Sequence, residues 1–539
     1  MSAGTRDAAS IAGKPLPGED TVDLAIVGAG PAGRAAAVEG ARHGLRVLLI
    51  DENPVVPAPM GQDVPLLYGQ RASAAVQHRG RMLERMVESM PDLAEAFESG
   101  VDVQLGVDVW GAYANGPGLR WLPGPVLGLA DAERSWMVGC KHLIVAAGAR
   151  DLALAFPGWD QPGVVGALGA RSLIQRYDAF TGRRIAVLGS GALALDLALA
   201  ALDRGIEIAA LIEVRPEPVG PADLLARIRT HGVPVLASHA ALGARGGTDG
   251  VEALAIVGLD ADGAVRPGSE RTIAVDTICL AVGAVPNIEL LDVLGCRLVH
   301  DAGRGGHVPL RDRDLATSLP FVSAIGDGSG LDDRTWLDPA LAVEDGRRAA
   351  RVAAHALGRP AERFVRATVP AAAVGTIGAL AYRMAWSDAL ARVGGPDVVV
   401  CQCEEVSARE LLDVRPPRYL GPPPERQRAR DLGRLLADGP ANQDQVKRLT
   451  RAGMGPCQGR RCRDQVALLL ARAGGLDPAT IPLASYRPPV RPVPLGVLQP
   501  VDEPAEMRRD WDIWFGIPSQ WTPYWELDGS GDDTAPQGK

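Results

Sequence analysis

Four of the seven cysteines stand in two close pairs. Cys401 and Cys403 end the apolar run in VVVCQCEEV, and Cys457 and Cys462 close the glycine-rich segment GMGPCQGRRC, which leads into a predicted helix over 463–473. Residues 1–19 lack the charged-then-apolar layout of a secretory signal, so the expected compartment is the cytoplasm, where paired thiols point to a metal centre rather than to disulfides. Four thiolates suit an iron–sulfur cluster tuned by backbone N–H groups aimed at sulfur from helix starts. They also suit a structural zinc ion, and free thiols are a third reading. Cys140, Cys279 and Cys296 differ, because each lies in or beside an apolar strand-like run and reads as a small buried hydrophobe.

A second chemistry is written in glycines. TVDLAIVGAGPAGRAAAVEGARHGLRVLLID, residues 21–51, reads as a buried strand, a tight turn, an Ala-rich helix and a second strand. Gly28 permits the turn, Gly30 lets backbone approach a pyrophosphate, and Gly33 lets helix and strand pack closely, with Pro31 and Ala32 opening the helix. Asp51, followed by Glu52, ends the second strand where a carboxylate accepts hydrogen bonds from an adenosine ribose. A second such unit starts at Arg184, with Gly189, Gly191 and Ala194 at the small-residue positions and Glu213 at the strand end. Two dinucleotide units in one chain imply electron transfer between nucleotides, usually a flavin and a nicotinamide. A nicotinamide at the second unit is either real or vestigial, and Glu213 favours NAD over NADP. A metal centre in such company has a redox use, which favours iron–sulfur over zinc.

The remaining candidate contacts follow from strand exits. HLIVAAGAR ends a buried strand at Ala147-Gly148, where a chain can cross under a dinucleotide, and FVSAIGDGSG places Gly326 and Asp327 before a helix predicted over 340–357. Asp327 there can meet a ribityl hydroxyl, and the helix start can stabilise negative charge on a reduced flavin. Gly61-Gln62 and Val109 are the other expected cofactor contacts. A helix is expected around 79–99, strands near 101–110 and 136–147, and one further buried strand over 272–287.

With 539 residues the chain has length for three or four domains of roughly 150 residues. Its formal net charge of −9 gives no reason to expect nucleic acid, and no apolar run approaches the ~20 residues needed to span a bilayer.

GAGPAG, AAGAR, GSGALA, AVGAVPN and AIGDG, in that order, resemble the two-dinucleotide-domain flavoproteins of the glutathione- and thioredoxin-reductase group, over 22–356. That resemblance implies FAD on the first unit and NAD(P)H on the second. No two cysteines lie close together before Cys401, so the thiol chemistry of disulfide reductases is not expected. CQCEEVSARELL with KRLTRAGMGPCQGRRC is similar to the [2Fe–2S] domain of the bacterioferritin-associated ferredoxin type. Such domains are appended to flavoprotein alpha subunits of heteromeric amine and amino-acid dehydrogenases or oxidases, among them the opine, hydrogen cyanide, sarcosine and proline or hydroxyproline types. FPGWDQPGVVGA and DENP extend the resemblance to most of the chain, 22–472. By that resemblance Cys401, Cys403, Cys457 and Cys462 are cluster ligands.

The expected fold is α/β, with two Rossmann-like dinucleotide-binding domains of the glutathione/thioredoxin-reductase type and a C-terminal [2Fe–2S] domain like that of bacterioferritin-associated ferredoxin. It runs as a disordered leader 1–20, a first FAD-binding part 21–165, an NAD-binding-like domain 166–285, a second FAD-binding part 286–360 and a cluster domain 361–475. The cluster domain carries an extra Pro- and Arg-rich piece at 415–442, read as a partner-binding excursion or a solvated loop. The Pro- and Trp-rich tail 476–539 holds Trp511, Trp514, Trp521 and Trp525, suited to anchoring a partner or folding back. The resemblance implies an electron-transfer subunit holding FAD and the cluster, while a flavoprotein beta subunit, with room for a small additional subunit, oxidises a secondary amine or amino acid to an imine. The alternative is a freestanding NAD(P)H-dependent ferredoxin-type reductase or diaphorase. No acid/base pair for catalysis is evident.

Overall fold

The computed structural model describes residues 21–54, 78–116, 124–331, 338–361, 378–421 and 430–498, with isolated positions between them. The leader, Gly61-Gln62 and the four tail tryptophans lie outside the described residues.

The apolar runs that read as strands build the first sheet. β1 (Thr21–Val27) lies parallel to β2 (Val47–Asp51) on one side and to β6 (Ser135–Val145) on the other, with Leu24 opposite Val47 and His142. β3 (Asp102–Leu105) extends the edge beyond β2. β4 (Asp108–Tyr113) and β5 (Val126–Ala130) add antiparallel strands beyond β6, which also pairs in parallel with the strand Val322–Ala324. β1 and β2 are apolar on both faces because both are covered. On one face helix Pro31–Arg42 packs against helix Pro339–Ala356, and the approach is so close that a Cβ at Gly346 would collide with the Ala32 carbonyl. The region expected as one helix over 79–99 is two, Arg79–Glu88 and Asp92–Glu98, because Pro91 cannot continue the first.

The second unit repeats the plan. After β7 (Ala149–Asp151), β8 (Val164–Gly166), β9 (Arg184–Leu188), β10 (Glu207–Ile212) and β11 (Val235–Leu236) enter a parallel sheet. β12 (His239–Gly247), β13 (Gly250–Gly258) and β14 (Arg271–Ala274) form a separate antiparallel sheet. The single strand expected over 272–287 is therefore three. β14 belongs to that antiparallel sheet, β15 (Thr277–Leu280) returns between β8 and β9, and β16 (Ala284–Pro286) pairs with β7 as the ribbon joining the two units. The polar Asp276, which accepts from the Arg183 and Arg184 amides, separates the first two.

After the strand Val322–Ala324 and helix Pro339–Ala356 have returned to the first unit, the described residues over 378–481 form a small helical body. Helix Ala379–Gly394 lies against β12 and against helix Arg463–Gly474, and a short strand pair, Val399–Cys401 with Val406–Ser407, carries Cys401 at the end of its first strand and Cys403 in the turn between. Ser407 and Glu410 close a capping box that starts helix Ala408–Leu412. Within the expected excursion 415–442, helix Leu432–Asp438 packs Leu432, Leu435 and Leu436 into this body's core and leaves Gly433, Arg434, Ala437 and Asp438 exposed, so that part is a packed helix and not a solvated loop. Trp159, 1 % exposed, locks the body to the second unit: its indole donates to the Val399 carbonyl at 2.7 Å and Arg461 stacks on its ring at 4.5 Å. Replacing it with alanine should destabilise the protein by about 3–5 kcal/mol and free the cysteine-bearing strand. Denaturant unfolding with limited proteolysis would show both effects, and an unchanged cleavage pattern would refute the anchoring role.

Candidate functional site

In the first unit the nucleotide loop is shaped by contacts that exclude side chains. Gly28 has φ +106°, and a Cβ there would collide with the carbonyl of Ala146; one at Gly33 would collide with the carbonyl of Gly28. Gly30 faces open space, and helix Pro31–Arg42 begins there with no side-chain cap, leaving its first amides to an anion. Asp51, 8 % exposed, accepts from the Ala29 amide at 2.5 Å and from the Asn53 amide and side chain at 2.8 Å. Glu52 is ion-paired with Arg491 at 2.7 Å; burial pushes its carboxyl up, but Arg491 and Arg460 outweigh that and hold it below the usual range. The Ala147 carbonyl accepts from the Asn287 side chain at 2.9 Å, Gly148 has φ +68°, and Val109 is buried in the sheet's core.

Asp327 is a half-buried acid. It sits beside Gly326, whose φ is +60°, and no hydrogen-bond donor among the described residues reaches its carboxylate. Burial pushes its carboxyl up to about 6, with Arg171 pulling the other way. A carboxylate in that condition is an acceptor awaiting a hydroxyl.

The thiols are brought together from two loops. Cys401 is in hydrogen-bonding contact with Cys462, and Cys403 with Cys457, so each pair takes one member from each loop. Gly455 is required for this approach, since a Cβ would collide with that of Cys403. The N–H groups that reach the sulfurs come from loops, with Gly453 at 3.5 Å from the Cys401 sulfur and the Glu404 and Cys457 amides on Cys401 and Cys403. The expectation that helix starts would supply them is thus corrected: helix Ala408–Leu412 begins five residues past Cys403. Only helix Arg463–Gly474 starts directly at a cysteine. Among the described residues no three metal-ligating side chains converge on a single ion position. The other three cysteines are buried in cores as expected.

A buried guanidinium joins the two regions. Arg150, two residues past Gly148 and 2 % exposed, pairs with Glu289 at 2.9 Å and Asp464 at 3.0 Å and donates to the Arg460 carbonyl at 2.7 Å. Arg460 lies between Cys457 and Cys462, and Asp464 two residues after the latter. Burial opposes the charge of Arg150, while Glu289, Tyr486 and Asp464 more than restore it. Sequence reasoning took Arg150 only as the end of AAGAR and missed its role; a charged residue closely following the apolar run over 143–147 was the signal.

In the second unit, Gly189, with φ +122°, would collide with the Ala281 carbonyl if it carried a Cβ, just as Gly28 would with Ala146, and Ala194 is fully buried where Gly33 stands in the first. Gly191 opens helix Ala192–Leu202 onto free space. Glu213 is 0 % exposed: it accepts from the Ser190 hydroxyl at 2.5 Å, the Tyr382 hydroxyl at 2.9 Å and the Arg215 amide at 2.9 Å.

Residues 22–355 match the family model described as pyridine nucleotide-disulphide oxidoreductase. The chain belongs to that family. It is accordingly an oxidoreductase, with a mixed α/β fold in this region. Residues 427–500 match a sarcosine oxidase A3 domain. The chain is 29 % identical over 505 residues to an opine oxidase subunit of Agrobacterium tumefaciens (strain Ach5), covering 89 % of this chain and 92 % of that one. It is 25 % identical over 500 residues to the sarcosine oxidase alpha subunit of Rhizobium meliloti (strain 1021), covering 88 % of this chain and 42 % of that longer one. A crystal structure of L-proline dehydrogenase from P. horikoshii shares the fold with a TM-score of 0.58 at 19 % identity, over 89 % of this chain and 79 % of that one. The two oxidase relatives are named as subunits, and no described helix is long and apolar enough to cross a membrane.

The family implies FAD, and the first unit fits it: the loop where Gly28 and Gly33 exclude side chains suits the pyrophosphate, and the unpartnered Asp327 suits a ribityl hydroxyl. A hydroxyl donor stabilises the ionised form of Asp327, so flavin should be held progressively less tightly as pH falls through about 6. Asp327→Ala should weaken retention about 10- to 100-fold, the worth of a hydrogen bond to a charged group, and abolish that pH dependence. Equilibrium dialysis of FAD between pH 5 and 8 checks both. Arg150→Ala, which strands two buried carboxylates, should cost about 3–5 kcal/mol in an unfolding measurement.

Proposed function

We propose that this chain is the electron-transfer subunit of a heteromeric oxidoreductase that oxidises a secondary amine or amino acid, of the opine, sarcosine or proline-like kind, to an imine on a partner flavoprotein subunit. The observation that carries the reading is Arg150, which fixes a flavin-type nucleotide site and the loop bearing Cys457 and Cys462 to each other within one body. Similarity over nearly the full chain to one subunit of an opine oxidase points the same way.

Four thiols in two pairs suit a [2Fe–2S] cluster, in which each iron takes two protein ligands, better than a single zinc ion in a closed four-ligand cage. Cys401, Cys403, Cys457 and Cys462 would hold it. When bound, FAD supplies two-electron chemistry that can be released in single steps and the cluster supplies a one-electron relay. The chain's own residues do the rest. The amides of Gly453, Glu404 and Cys457 offset charge on sulfur, Arg150, compensated by Glu289 and Asp464, holds the two sites in fixed relation, and Asp327 orients what lies on the first unit. The buried His142, hydrogen-bonded to Ser323 at 3.1 Å, is pushed by burial down to about 4 and stays neutral, so it is no proton donor at physiological pH. In this reading the chain offers a relay, and the carbon–hydrogen bond is broken on the partner.

The test is affinity purification of the tagged chain from its native source, followed by a panel of secondary amines with a dye acceptor. A second flavoprotein should co-purify, and the complex, not the chain alone, should form imine. Turnover of amine by the isolated chain would refute the division of labour.

A further inference from the structure

The second dinucleotide unit keeps its glycines, but a side chain from outside it stands at its ribose end. In a Rossmann unit the acid ending the second strand accepts hydrogen bonds from the adenosine ribose hydroxyls. Here that acid is Glu213, and the group bonded to it is the phenol of Tyr382, from helix Ala379–Gly394. The Tyr382 hydroxyl donates to the Glu213 carboxylate at 2.9 Å and accepts from the Ser190 amide of the nucleotide loop at 3.2 Å. These are the contacts a sugar hydroxyl would make at this place.

The surroundings close over it. Ser190 adds its own hydroxyl to Glu213 at 2.5 Å and takes the Val219 amide at 3.1 Å, folding the segment after β10 onto the nucleotide loop. Gly220 in that segment lies so near that a Cβ would collide with the Ser190 carbonyl. Ser190 and Glu213 are both 0 % exposed. Four residues on from Tyr382, Trp386 is also fully buried, in the core that the helix shares with the second unit, so the phenol cannot leave without disturbing that core. The first unit differs: its acid, Asp51, is held by Ala29 and Asn53 of its own unit, and among the described residues no side chain from elsewhere is hydrogen-bonded to it.

We infer that Tyr382 acts as a built-in substitute for the adenosine ribose, closing the second unit to NAD(H) and to any other adenosine diphosphate. The chain then exchanges no electrons with nicotinamide, and the second unit serves as a platform on which the thiol-bearing body rests. This inference is independent of the amine reading above and would hold for any electron donor.

The experiment titrates the full-length chain with NAD+, NADH and ADP by calorimetry, beside Tyr382→Ala and, should that variant not fold, Tyr382→Val, which refills more of the core. Near-UV circular dichroism and flavin content report folding. Wild type should show no saturable binding up to about 1 mM, and a folded variant should bind at least one probe with a Kd at least about 10-fold below that ceiling. Saturable binding by wild type would overturn the inference, as would a folded variant that binds none of the three. Should neither variant fold, the wild-type titration decides alone.

Discussion

A guanidinium without water around it must be surrounded by acceptors, and meeting that requirement for Arg150 organises much of this molecule. Its partners come from two stretches far along the chain: Glu289 and Asn287 after the ribbon between the two units, and Asp464 and the Arg460 carbonyl from the thiol loop. Two carboxylates share one buried cation directly, and nearby Arg491 and Arg460 help hold Glu289 below its usual range against the pull of burial. Such a cluster tolerates little displacement, because losing one member leaves a charge unpaired in a medium that cannot screen it. The exit of the strand under the first nucleotide site and the loop bearing Cys457 and Cys462 are therefore held in fixed relation.

Around that tie the two nucleotide units have diverged while keeping one plan. Both turn their first glycine against the carbonyl of a crossing strand, at Ala146 and at Ala281. In one the helix start opens onto free space at Gly30 and the strand-end acid, Asp51, is held within its own unit; in the other the strand-end acid, Glu213, is bonded to Tyr382 of helix Ala379–Gly394. On the inference drawn from Tyr382, the same architecture serves once for binding and once for support, in keeping with function residing in sites rather than in folds.

Much of this was legible in the sequence, for reasons that are local. The strands at 21–27, 47–51 and 184–188 are short apolar runs followed by glycines whose steric role is set by near neighbours, and helices Pro31–Arg42, Pro339–Ala356 and Arg463–Gly474 begin and end within a residue or two of where their patterns place them. The four cysteines were legible as two pairs, though not the crossed pairing of 401 with 462 and 403 with 457. What escaped depends on chain separated by hundreds of residues. Arg150 meets Asp464, and Glu213 meets Tyr382, through tertiary packing that no spacing encodes. The split at Pro91 and the division of 272–287 into three strands show local breakers overriding a continuous apolar reading.

The central claim is that one body carries a two-electron site and a one-electron site held together. Its most direct measurement is cofactor analysis of the full chain prepared without oxygen: flavin by absorbance, iron and acid-labile sulfide by chemical assay, zinc by mass spectrometry. The account predicts about one FAD, two iron and two sulfide per chain, with the iron and sulfide, but not the flavin, lost when Cys401 is replaced. Flavin accompanied by stoichiometric zinc, or by no metal at all, would contradict it.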